Sequence, residues 1–364
     1  MNKDLKFKDF AFELPQELFV NDSIRQTSEI KLMVVNGITG EIVHDKMENV
    51  TNYFNKNDIL VFNNSGITKS RLKASLGSGE EVDICFLLQE NTRLWEVVVL
   101  YENEDPIEKK LTFSNCNMSG KILNKTGEFD GGYWVEHNKY KGYRALIEIS
   151  EDIDFLKREL QLNGLYMHPW YADLNSMDEK LLNPVTSKVL GSVLLSEPSR
   201  RITKEMVDIL RGKKCKFIHP QLNMSFSWKP VKAEQYLKDY EMNYEEFYIS
   251  QDDCNIINEG VKANKKIVSI GTSGVRILES LDSPAKTTNA RTNIFVKPGH
   301  KFKYVDSLLT NFHNSMGTHV IMASAIANRE LIINACEIAV KTGYRFGIHG
   351  DSMLVIGDRK NGNV

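Results

Sequence analysis

Apolar positions recur along this chain with two different periods. From residue 10 to 64 the runs are short and strand-like. LMVVNGITGEIVH sets an apolar run, a glycine-bearing turn at Asn36–Gly40 and a second run in the order of a β-hairpin. DILVFNN (58–64) is a brief apolar run closed by Asn63 and Asn64, the pattern of a buried strand that delivers polar groups at its end. Between 70 and 150 the runs RLKASL, EVDICFLL, RLWEVVVLY, GKILNKTG, YWVEH and RALIEI are separated by Gly, Asn and Asp clusters. Such even spacing predicts a small barrel or sandwich.

The period changes after 151. IDFLKRELQLNG has helical spacing and stops at Gly164, and Thr203 is placed to cap a helix that runs through Arg211. CKFIH and EFYIS read as strands and 251–264 as a helix. KKIVSI predicts a strand that turns at GTSG into a helix, and KYVDSLLTNF precedes helices over 318–327 and 329–341. YRFGIHGDSMLVI reads as a strand pair around Gly350. The predicted architecture is a mixed α/β body, residues 1–64 and 151–364, interrupted by a small all-β, barrel-like domain over 65–150.

Composition narrows the class. The chain has 364 residues, 41% hydrophobic and 26% charged, which excludes collagen-like, wholly disordered and coiled-coil proteins. No run of about 18 apolar residues marks a membrane helix, and the N-terminus MNKDLKFKDFAFELP lacks the apolar stretch of a secretory signal. The five cysteines are scattered, with no Cys-x-x-Cys pair. This pattern predicts a cytoplasmic protein with neither a disulfide framework nor a zinc site.

The net charge of −2 conceals a segregation. Arg200 to Lys216 holds seven basic residues and two acids, and Ser283 to Val305 holds Lys286, Arg291, Lys297, Lys301 and Lys303 with no acid. Glu234 to Glu259 holds eight acids and one Lys. Two basic tracts either form solvated faces or set a positive surface against phosphates.

No Gly-x-Gly-x-x-Gly, Walker A, His-Glu-x-x-His or Gly-x-Ser-x-Gly sequence is present. His313 and His319 are six apart, the wrong spacing for one helical face. Gly271-Thr272-Ser273-Gly274 opens a helix, so its backbone N–H groups and hydroxyls suit either an anion or ordinary capping. Thr310-Asn311-Phe312-His313 ends an apolar run with polar groups and reads either as ligand contacts at a strand end, where an α/β sheet usually places them, or as a satisfied polar turn with a surface His. Asp351 follows Gly350 and reads either as a general base or as a turn residue bonded to nearby backbone.

Taken together, these segments resemble the S-adenosylmethionine:tRNA ribosyltransferase-isomerase family of queuosine biosynthesis. The matching text is Phe12-Glu13-Leu14-Pro15, Thr39-Gly40-Glu41-Ile42, DILVFNN with Arg71-Leu72, GTSGVRILES (271–280), TNIFVKPGHKFKYVDSLLTNFH (292–313) and YRFGIHGDSML (344–354). The chain departs from the family pattern at Ser65–Arg71, where the first of two arginines is missing. It departs again at 182–187, at 195–203, where Arg200 and Arg201 stand in an otherwise uncharged turn, and at 224–228. Tyr240-Glu241-Met242-Asn243-Tyr244-Glu245 replaces His-x-Met-His-x-Glu, and Asn314-Ser315 replaces Leu-Pro.

The resemblance implies transfer and isomerisation of the ribosyl part of S-adenosylmethionine to the aminomethyl group of 7-aminomethyl-7-deazaguanine in tRNA, giving epoxyqueuosine-tRNA. Adenine and methionine leave. No metal is implied, because the sulfonium acidifies its neighbouring C–H and is itself a leaving group. The resemblance places Asn311 and His313 beside the reacting ribose, with Asp351 as acid/base. It sets Asn63, Asn64, Arg71, Thr272, Ser273, Arg276 and Thr310 against the substrate. Arg200, Arg201, Lys297, Lys301 and Lys303 become candidates for RNA phosphates, with the tRNA anticodon loop as partner. The departures keep two alternatives open: a sulfonium nucleoside used with another acceptor, or a non-catalytic RNA- or nucleotide-binding paralogue.

Overall fold

The computed structural model describes residues 4–19, 27–129, 141–167, 175, 189–192, 197–224 and 231–360. Trp170, Trp228, the YWVEH run and most of the divergent 182–196 and 224–228 stretches lie outside them.

A seven-stranded mixed sheet forms the body. Its order is Lys216–Ile218, Ile59–Phe62, Ile267–Ile270, Ser307–Asn311, Ser352–Ile356, Lys31–Asn36 and Ile42–Lys46. The first four strands are mutually parallel, and Ser352–Ile356 runs antiparallel to the fourth. The carboxyl ends of four strands therefore meet the amino ends of Ser352–Ile356 and Lys31–Asn36 at one edge.

Alternation sorts the side chains to two faces. Met33, Val35, Ile59 and Val61 join one core under the helices Gln251–Lys262, Thr272–Ser280, Thr318–Ile326 and Arg329–Lys341. Leu32, Val34, Leu60 and Phe62 join a second core with Met206, Val207 and Leu210 of helix Lys204–Gly212. The strands carry apolar residues on both faces because both faces are covered. Helix starts follow the capping chemistry of the sequence. Thr203 accepts from Met206 N at 3.3 Å, Ser250 from Asp253 N at 3.1 Å and Asn328 from Leu331 N at 2.7 Å.

The inserted unit is a closed antiparallel barrel of six strands: Arg71–Ser75, Glu81–Gln89, Leu94–Tyr101, Lys110–Phe113, Ser119–Glu128 and Lys141–Ile149. Leu72, Ala74, Ile84, Val97, Val99, Ile122, Ala145 and Ile147 fill it. Sheet and barrel together give the mixed α/β body with an inserted barrel that the periodicity predicts. One local reading differs. Only Ser352–Ile356 is a strand near Gly350; residues 344–351 form a loop whose Arg345 N–H is bound by the Asp351 carboxylate at 2.8 Å. A three-stranded antiparallel sheet, Gln221–Asn223, Glu245–Ile249 and Thr288–Thr292, stands beside the body.

Candidate active site at the strand ends

The strand Ile267–Ile270 ends at Gly271, whose φ of +96° turns the chain into helix Thr272–Ser280. A left-handed φ of this kind favours glycine. Gly274 is required for a different reason. A Cβ there would sit 2.3 Å from Ser269 Oγ, against the sheet. The two glycines thus bring the first helical turn close down on the strand end.

A pocket opens in front of that turn. It is lined by Thr272, Ser273 and Arg276 of the helix, by Tyr240, Met242, Asn243 and Glu245, by Ile294–Val296, and by Thr318, His319 and Met322. Arg276 is buried and forms an ion pair with Glu245, also buried. Its Nη2 donates to Asn243 O and Thr292 O, each at 3.3 Å. Arg276 thereby ties the pocket's two walls together.

A second cluster lies at the neighbouring strand ends. Arg201 is among the largest fully buried side chains. Its Nη1 donates to Asn311 Oδ1 at 3.1 Å and to Ser352 Oγ at 2.7 Å, and its Nη2 donates to Gly350 O. Asn311 donates onward to Ile348 O at 2.9 Å. The guanidinium therefore holds the end of one strand and the start of its antiparallel neighbour.

His313 follows two residues after Asn311, and its Nε2 is 3.2 Å from Thr310 Oγ1. Its ring stacks on His319, with centroids 3.9 Å apart and planes at 14°. Burial, then His319 and Arg201, hold the His313 imidazole well below its ordinary value. Burial, then Arg276, lowers His319 to about 4. His319 also sits in the first turn of its helix, where the backbone dipole disfavours a cation. Both rings are uncharged at neutral pH.

The other site candidates fall into separate places. Asp351 is buried; Oδ1 accepts from Lys31 N at 3.0 Å and Oδ2 from Arg345 N at 2.8 Å. Asn63 is fully buried behind the pocket wall, accepting from Leu222 N and donating to Leu222 O, each at 2.9 Å. Asn64 N donates to Pro220 O at 2.8 Å. Arg71 belongs to the first barrel strand, 3.9 Å from Asp83, and does not line the pocket. Lys297 donates to Leu237 O at 2.8 Å and Lys303 to Leu281 O, whereas Lys301 is exposed and Arg200 half-buried.

Thr272, Ser273 and Arg276 are thus gathered in one pocket, and Thr310, Asn311, His313 and Arg201 beside it. Arg201 is buried at the ends of two central strands, not on a basic outer face. Sequence reasoning missed His319, Tyr240, Asn243 and Glu245 as lining residues. Glu245 carried a signal, since it keeps the acid of a segment whose two histidines are replaced. Among the described residues, no group of three or more His, Cys, Asp or Glu is arranged to hold a metal ion.

Mixed sheet, inserted barrel and a polar cluster at the strand ends define the class of protein. The queuosine biosynthesis protein family matches residues 7–355, so the chain belongs to that family. An S-adenosylmethionine:tRNA ribosyltransferase-isomerase of Acetivibrio thermocellus is 30% identical over 96% of this chain and all of its own length. One of the same name from a Thermoanaerobacter species is 31% identical over 97% of this chain and all of its own. The crystal structure of the S-adenosylmethionine tRNA ribosyltransferase of Thermotoga maritima shares the fold. Its TM-score is 0.52 and its identity 21%, covering 96% of this chain and all of that one.

Proposed function

We propose that this chain is an S-adenosylmethionine:tRNA ribosyltransferase-isomerase. The observation that carries this reading is the end-to-end similarity to enzymes so named, 30% identical over 96% of the chain. The polar cluster at the strand ends supports it, because the retained motifs converge there. The acceptor is the aminomethyl group of a 7-deazaguanine in the tRNA anticodon loop, which places the work in the cytoplasm.

The reaction asks three things of the protein: a proton acceptor, partners for ribose hydroxyls, and a site for the methionine end of the donor. His313 is placed to be the acceptor: its imidazole is uncharged and stands at the strand end, and its lowered proton affinity makes it a weak base that holds the proton only transiently. Asn311, oriented by Arg201, and Thr310 meet the ribose. Thr272 and Ser273, at a helix N-terminus, take the methionine carboxylate. Arg276 frames this pocket through Glu245. Asp351 holds the 345–351 loop in shape, through its two backbone bonds, and so sets where Ser352 and Arg201 stand. Arg200 and Lys301 face tRNA phosphates.

The test is adenine release from S-adenosylmethionine, followed by chromatography, with and without tRNA bearing the aminomethyl base. Release that depends on that tRNA is expected. Its absence under conditions where a relative works would favour another acceptor.

A further inference from the structure

We propose that His319 is a positioning residue for His313: its ring, laid flat on the His313 imidazole, fixes the edge that His313 presents at the strand end. This deepens the functional reading above and rests on it for the role of His313.

The geometry carries the inference. His313 lies in the loop after strand Ser307–Asn311, and a loop histidine left alone would rotate about two side-chain torsions. Two contacts remove that freedom. Thr310 Oγ1 meets Nε2 at 3.2 Å, and the His319 ring covers one face at 3.9 Å and 14°. His319 is itself fixed, in the first turn of helix Thr318–Ile326, which packs on the central core through Val320, Met322 and Ala323. Both rings border a narrow space closed by Asn311, Phe312, Ile332 and Met353. The His319 ring also lines the main pocket beside Ser273 and Arg276. It therefore stands between the pocket and the strand-end cluster.

The surroundings also explain why a flat ring is tolerated there. The charged and titratable groups around the pair are Arg201 from the 197–201 segment, Arg276 from helix Thr272–Ser280 with its ion-pair partner Glu245, Tyr240 across the main pocket, and Cys336 from helix Arg329–Lys341. Burial pushes the Cys336 thiol up to about 12, so it is uncharged. Burial first, and then the neighbouring guanidiniums, disfavour protonation of either ring, with Glu245 engaged in its ion pair with Arg276. Stacked neutral aromatics attract, whereas two imidazolium rings would repel.

If the ring face is what matters, phenylalanine can replace it. The experiment compares His319→Phe and His319→Leu in the full-length protein. His319→Phe is expected to keep kcat within about threefold, and His319→Leu to lower kcat about tenfold with little change in KM, as befits loss of one stacking contact. The His313 ring proton, followed by NMR across pH, supplies a readout that needs no turnover. Its titration is expected to stay depressed in His319→Phe and to move up towards the ordinary value in His319→Leu, where water reaches the ring. Equal impairment of both variants, or identical His313 titrations in both, would overturn the inference. If the wild-type protein releases no adenine, the functional reading fails, while the titration still decides the stack.

Discussion

Arg144, on a barrel strand, donates to the side chain of Asn243 at 3.0 Å, while its other terminal nitrogen holds Glu96 at 2.5 Å. Asn243 lines the pocket, and its carbonyl oxygen accepts from Arg276 at 3.3 Å. Barrel wall, pocket wall and pocket helix thus share one line of hydrogen bonds. Removing the guanidinium in Arg144→Ala should raise KM for S-adenosylmethionine by loosening the 240–245 segment. A double-mutant cycle with Asn243→Ala should give a coupling of about 1 kcal/mol in denaturant unfolding. Strict additivity would show that the barrel is not tied to the pocket through this pair.

The Arg276–Glu245 pair should behave as a buried ion pair whose halves cannot be separated. Either Arg276→Met or Glu245→Gln alone leaves one group without its counterpart and should cost about 3–5 kcal/mol. The double variant should cost less than the sum, because no lone charge remains. Urea midpoints of the three proteins check this. A double variant as unstable as the sum of the singles would show that the two residues act independently.

Asp351→Asn discriminates a scaffold from a proton carrier. The amide puts an N–H against one of the two backbone N–H groups that the carboxylate serves, which should cost about 1–3 kcal/mol. A drop in melting temperature, with the pH profile of the remaining activity unchanged, is expected. Full stability with activity abolished would reassign Asp351 to the chemistry.

Acid should destabilise the protein through its histidines. In the unfolded chain they titrate near 6.5, while His319 in the fold is lowered to about 4 and His313 is lowered well below its ordinary value. Between those limits the unfolded state binds more protons. The stability is therefore present above pH 6.5 and is lost as pH falls towards about 4, by roughly 1.4 kcal/mol per pH unit per histidine at most. His319→Phe should flatten this slope by up to one proton's worth, measured as unfolding free energy at a series of pH values. An unchanged slope would mean that His319 titrates normally.

Much of the fold was legible in the sequence because local rules decided it. EVDICFLL and RALIEI repeat with the period of a strand, Thr203 caps its helix, and both Gly271 and Asn311 punctuate strand ends as their types suggest. The site was legible only where its residues were neighbours in sequence, as in Thr272, Ser273 and Arg276. The stacking of His313 and His319 crosses a loop and a helix start, so a test of helical spacing could not find it. Arg201 and Asn311 meet across 110 positions through the sheet's crossover order. Lys297 and Lys303 belong to a basic tract in the sequence, and the linear pattern could not show that each also reaches a backbone carbonyl of a distant segment.

In the proposed reaction the ribosyl part of S-adenosylmethionine ends on tRNA. The most direct measurement uses two labelled donors, one carrying the label in ribose carbons and one in the methyl group, with tRNA bearing the aminomethyl base. The ribose label is expected to enter the tRNA while the methyl label leaves with methionine. Methyl label in the tRNA, or no label from either donor, would contradict it.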